Sequence, residues 1–204
     1  MERKNNYVIQ AGQARKLFCA RDLDEVARAH GLRTDADFLY LCLLSEDYRV
    51  GRSGGHIARR EAGAWAAADG FDETIFDLLC DAKPGRRAAG EWKTTLDFGG
   101  QVHRGLMEPE RADELELLYD RQPELLERTC LRLGGAPMAG ADLGFTLPFF
   151  EDLRIAVQFW HGDDEFAPRL RVLWDANADQ YLRYETMYYA IGLLKSRLRA
   201  ISTV

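Results

Sequence analysis

The chain reads as an α+β fold: a mixed, mainly antiparallel sheet with helices packed against it and a C-terminal helix closing the fold. Three observations carry this reading. Apolar runs rich in strand formers fall in two blocks, at 38–58 and 145–175. Segments with helical spacing of apolar residues lie before, between and after them. The strict strand–helix alternation that marks a parallel sheet is missing. The 204 residues suit a single domain, 1–204, with a substantial core.

The elements follow in order. Over residues 6–20, Val8, Ala11, Ala14, Leu17 and Phe18 share a helical face. Asp22 followed by Glu25 resembles a capping box for a second short helix, which Gly31 closes. FLYLCLL (38–44), then YRV (48–50) and HIA (56–58) around GRSGG, predict a hairpin within an early sheet of about three strands. Asp72 caps a helix over ETIFDLLCDA, in which Ile75, Phe76, Leu79 and Cys80 share a face, and PGRRAAG (84–90) then interrupts as a polar loop. WKTTLDFGG is read as one more short strand. Pro109 starts a helix through ERADELELLYD, and Pro123 starts another that ends at Gly134 and Gly135. The glycine-rich stretch 134–144 is a plain connection. FTLPFF, LRIAVQFW and RLRVLWD are strands. Tyr184–Ile201 is the closing helix, with Met187, Ile191, Leu194, Leu198 and Ile201 on one face and Lys195, Arg197 and Arg199 suiting its C-terminal dipole.

Composition narrows the function. The chain is 47% hydrophobic and 29% charged with a net charge of −6, as expected of a folded chain that does not bind nucleic acid. Arginine outnumbers lysine 22 to 5, but the arginines are scattered and form no basic stripe. The N-terminus carries no apolar leader, and FLYLCLL is far short of the ~20 residues of a membrane span. A cytoplasmic location away from the membrane is expected. Cys19, Cys42, Cys80 and Cys130 lie 23, 38 and 50 positions apart, which excludes short metal-ligand spacings and suggests four buried free thiols. No metal and no cofactor is expected.

The acid-rich stretch WHGDDEFAPRLRVLWDANADQYLRYE (160–185) carries the candidate chemistry. Asp175, Asn177 and Asp179 match the first half of a calcium loop. Gln180 then stands where that loop needs glycine, and Thr186 where it needs a bidentate glutamate. The economical reading is that Asp175 and Asn177 turn a strand into a helix and cap it, while Gly162 and Asp163 make a hairpin turn that Pro168 ends. The catalytic alternative uses His161, Asp163 and Asp175, with Trp160 and Asn177 as ligand contacts. GRSGGH (51–56) lacks the spacing of a phosphate loop, and His30, His56 and His103 show no i,i+4 pairing.

LPFF, FWHGDDEFAP, LRVLWDANADQYL and the closing helix resemble a family of uncharacterised proteins of anaerobic bacteria and archaea, with the specific motif confined to about 160–182. Some members look like fusions to a four-cysteine iron–sulfur module. The resemblance implies a place in anaerobic redox or corrinoid-dependent one-carbon metabolism and a separate redox or methyl-transfer protein as partner. It marks Gly162, Asp163, Asp175, Asn177 and Leu182 as positions of shared importance. Two functional readings result: a binding or accessory domain, or a small hydrolase or transferase using His161, Asp163 and Asp175.

Overall fold

The computed structural model describes residues 6–68, 74–99 and 111–203. Helices α1 (Asn6–Cys19) and α2 (Leu23–Ala29) open the chain. Asp22 caps α2 as its sequence suggests, its carboxylate accepting from the backbone N–H groups of Asp24 (3.0 Å) and Glu25 (3.2 Å). On α1, Ala14 and Phe18 are buried, but Leu17 is 58% exposed, so the apolar stripe is narrower than its spacing implies.

The first sheet is a meander of five strands rather than three: β1 (Arg33–Thr34), β2 (Phe38–Leu43), β3 (Glu46–Gly51), β4 (Ile57–Glu61) and β5 (Ala64–Ala67). Period-2 alternation sends Leu39, Leu41, Leu43, Tyr48 and Val50 inward and leaves Phe38, Tyr40, Cys42, Asp47 and Arg49 on the outer face. The turn between β2 and β3 holds Leu44 and Ser45 at φ 51° and 60°, the left-handed geometry that suits a two-residue hairpin. There the Leu44 N–H donates to the Phe149 carbonyl at 2.9 Å and ties this sheet to the next.

Helix α3 (Thr74–Asp81) buries Ile75, Phe76 and Leu79 as expected, and Phe76 packs 5.2 Å from Phe18 of α1. Its expected cap, Asp72, lies outside the described residues, as do Pro109 and His103. The WKTTLDFGG segment forms only a two-residue strand, β6 (Trp92–Lys93), and then a 3-10 turn over Thr95–Phe98. Helix α4 (Glu114–Arg121) is capped by a reciprocal box: Asp113 accepts from the Leu115 and Glu116 N–H groups, and Glu116 accepts from that of Asp113. Helix α5 (Pro123–Arg132) carries Pro123 in its first turn, and Gly134 follows its end at φ 72°.

The second sheet comprises β6, β7 (Ala136–Pro137), β8 (Leu143–Phe150), β9 (Leu153–Trp160) and β10 (Arg169–Asp175), in the order β6-β10-β9-β8-β7. Every strand pair in both sheets is antiparallel. The fold is therefore α+β as expected, with its antiparallel strands divided between two sheets.

Helix α6 (Tyr184–Ser202) closes the chain and packs against α3 and α5. Its buried stripe is Met187, Ala190, Leu193, Leu194 and Leu198, with Ile191 and Ile201 at its edge. Arg197 also lies in that stripe, at 5% exposure, rather than serving the helix dipole. One buried cluster draws side chains from both sheets and all six helices of the described residues, each large apolar member contributing roughly 1.5–3 kcal/mol. The cysteines depart from expectation: Cys130 is buried and its thiol is pushed up to about 12 by that burial, Cys80 is half-buried, and Cys19 and Cys42 are exposed.

Candidate functional site

The candidate residues divide between the two ends of β10. At its start, Arg169 pairs with Trp160. Beyond that pair lies a cleft of about 530 Å³ lined by Trp160, His161, Asp163, Phe166, Arg169 and Asp142. His161 Nδ1 is 3.0 Å from Asp120 Oδ1, which also accepts from the Gly162 N–H at 3.1 Å, so the C-terminal turn of α4 holds this loop. Asp163 makes the turn: its carboxylate accepts from the Glu165 (2.8 Å) and Phe166 (2.7 Å) N–H groups. A Cβ on Gly162 would stand 2.8 Å from the Pro168 ring, which explains glycine there.

Those bonds set the chemistry of the cleft. The N–H groups of Phe166 and Glu165 hold the Asp163 carboxyl below its ordinary value, and the Gly162 N–H and His161 do the same for Asp120. Carboxylates held down in this way are weak proton acceptors near neutrality. His161 with Asp120 is an oriented imidazole, yet no serine, threonine or cysteine stands among the described lining residues.

Asp175 and Asn177 sit at the other end of β10. Six residue steps separate Arg169 from Asp175, roughly 20 Å along a strand. The expected convergence of His161, Asp163 and Asp175 is therefore corrected: the first two share a cleft and the third does not join them. Asp175 is 1% exposed. Its carboxylate accepts three backbone N–H groups, from Ala89 (2.8 Å), Gly90 (2.7 Å) and Asn177 (2.9 Å). Asn177 precedes a 3-10 turn (Ala178–Gln180), but its side chain makes no cap bond; Nδ2 donates to the Arg87 carbonyl at 3.0 Å. Leu182 is a core residue at 1% exposure. Asn177→Ala should cost about 1 kcal/mol, the loss of one such bond. Thermal melts with calcium and with a chelator should show the same drop; a calcium-induced rise confined to the wild type would contradict it.

The partner of this end is the 83–91 loop. Gln180 and Asp152 accept from its Arg87 (3.2 Å) and Ala88 (3.1 Å) N–H groups. Arg86 donates through Nε to Glu151 Oε2 at 2.7 Å and lies 2.8 Å from His30 Nδ1, which in turn is 2.7 Å from Glu151 Oε1. Burial would raise the Glu151 carboxyl, but the bonds from His30 and Arg86 outweigh it and hold the group below the usual carboxylate range. A depressed carboxyl contributes stability that is complete above its unfolded pKa, about 4.3, and is lost as pH falls through the folded value. Glu151→Gln should thus lose about 1–2 kcal/mol at pH 7 and show a shallower decline below pH 4 in urea unfolding. Equal acid-limb slopes would count against it.

The outer face of the first sheet holds a group that motif reading missed. Arg49 of β3 lies directly between Tyr40 and Ala58 in the strand register. Its guanidinium carbon stands 4.2 Å from the Phe38 ring centroid and 4.8 Å from that of Trp65. With Asp37, Ser53, His56 and Ala67 they line a second pocket of about 530 Å³. The alternation in FLYLCL and EDYRVG points these residues outward; what was missing was β5, whose AWAA carries no strand signal beyond Trp65.

Among the described residues, no group of three or more His, Cys, Asp or Glu is placed to hold a metal ion, and no helix is long and apolar enough to cross a membrane. No curated protein and no solved structure matches the chain. A family model does, across residues 22–197, from the cap of α2 to the buried arginine of α6. With its strands, loops and both ends of β10 inside that span, the chain belongs to the family described as Domain of unknown function (DUF3786).

Proposed function

We propose that the chain acts as one cytoplasmic domain that binds or assists a separate redox or methyl-transfer protein in anaerobic metabolism. The observation that carries this reading is how the acids are used. The Asp163 carboxylate is engaged by two backbone N–H groups and that of Asp175 by three, so both hold loops at opposite ends of the second sheet. A scaffold that fixes two loop surfaces fits recognition better than it fits proton transfer. The likeness of 160–182 to proteins fused to iron–sulfur modules supports the choice of partner. The four cysteines of this chain sit on α1, β2, α3 and α5, which supports a cluster carried by the partner rather than by the chain.

Capture from the native cell extract with the tagged full chain should recover an iron–sulfur or corrinoid methyl-transfer protein. Recovery of neither, together with turnover of a metabolite by the pure chain that Asp120→Ala abolishes, would reject the reading in favour of an enzyme built on His161.

A further inference from the structure

Arg49 is the most unusual cation of the described residues. Its Nε is buried and has no hydrogen-bond partner, and its side chain makes no ion pair among the described residues. Neighbouring acids are used elsewhere. Asp35 accepts from the Tyr40 hydroxyl at 2.6 Å and from two backbone N–H groups, and Asp47 pairs with Arg60 at 3.6 Å. Asp37 is the one carboxylate in the pocket lining, and it is exposed.

The register explains how the site is built. Ala58 stands opposite Arg49 and Ala67 opposite Ala58, so two small residues leave room for Trp65 to lean across the sheet, its ring 6.1 Å from that of Tyr40. Phe38 and Trp65 then flank the guanidinium. Aromatic neighbours partly offset the desolvation of a cation, but they cannot use its N–H groups, which seek acceptors in the guanidinium plane. His56 and Ser53 supply polar groups at one end, and His56 is itself braced by Arg15, 3.1 Å from its Nδ1. Arg33, 3.6 Å over the Tyr40 ring, adds positive charge on the same face.

We propose that this pocket binds a small molecule with one oxyanion, carboxylate or phosphate, on a flat apolar body. The oxyanion takes the paired N–H groups of Arg49, the fork geometry in which guanidinium binds such groups best. The flat body lies along Trp65. The cavity is of the size that holds small ligands. The proposal stands whether or not a protein partner is found, since it concerns the face of the first sheet and not the loops of the second.

The test uses the full chain with four probes: benzoate, phenyl phosphate, inorganic phosphate and uncharged benzamide. The readout is the Trp65 indole N–H resonance, assigned through Trp65→Phe. Benzoate or phenyl phosphate should shift it saturably, with the better of the two naming the oxyanion, while benzamide should not. Arg49→Met should weaken binding at least about tenfold and Arg49→Lys less. No saturable shift from either aromatic anion, equal binding of benzamide, or undiminished binding by Arg49→Met would overturn the proposal. Inorganic phosphate binding as tightly as phenyl phosphate would overturn the part given to Trp65. Should Arg49→Met not fold, the comparison of benzoate with benzamide on the wild type decides alone.

Discussion

Asp175→Ala should cost roughly 3–5 kcal/mol of folding stability, a large part of what a domain of this kind possesses. The carboxylate is 1% exposed and gathers the N–H groups of Ala89, Gly90 and Asn177. Alanine would leave those donors facing an apolar methyl group where water has poor access. Losing them together removes the two bonds that hold Ala89 and Gly90 to the end of β10, beside the Trp92–Asp175 pair of the sheet, and leaves the 83–91 loop to its bonds with Asn177, Gln180 and Asp152. Asp175→Asn keeps one acceptor and should fall between alanine and wild type. Asp163→Ala, on an exposed turn, should cost far less than Asp175→Ala. Urea midpoints measure all three, and a loss below about 1 kcal/mol for Asp175→Ala would show that the loop is held by other bonds.

Glu46→Ala should be comparably severe, at roughly 3–5 kcal/mol, because it strips a buried cation of its counter-charge. Arg197 of α6 reaches the first sheet with a side chain only 7% exposed; its Nε lies 2.8 Å from Glu46 Oε2, and it donates to the Tyr48 hydroxyl at 3.0 Å. Glu46 also accepts from Arg59 at 3.1 Å, and Arg59 is shared with Glu61. Burial works against the charge on Arg59, but Glu61 and Glu46 prevail and raise its pKa. The pairing is expensive to break and contributes little net stability. Combining Glu46→Leu with Arg197→Met should therefore recover much of the loss, with a coupling of about 1–3 kcal/mol in the double-mutant cycle. Simple additivity of the two single losses would defeat this account.

How far the sequence could be read depends on the range of the signal. FLYLCL, LRIAVQFW and RLRVLWD announce strands because their pattern is local and longer than a turn. β1, β6 and β7 are two residues each, too short for any period, and exist only because a longer neighbour offers a free edge. The same distinction separates the site residues. The Asp163 turn was legible because its donors lie two and three residues away. The role of Asp175 was only half legible, since two of its three donors come from the 83–91 loop. Arg197 was misread because an amphipathic pattern assigns every charge to the solvent side, and Glu46 lies far off in the chain. The separation of His161 from Asp175 needed only strand length and register, yet register is set by pairing across β9 and β10.

The strand order also implies a sequence of events during folding. β1 to β5 and β7 to β10 each join neighbours in the chain, so both meanders can form from short loops and early. β6 is different: it must be brought to β10 after most of the chain has been made, closing the longest loop of either sheet. That closure brings Ala89 and Gly90 to Asp175, and it belongs late on the path. Asp175→Ala should accordingly hasten unfolding while leaving the refolding rate nearly unchanged, and the edge carrying β6 should be the first to exchange its amide hydrogens in the native protein.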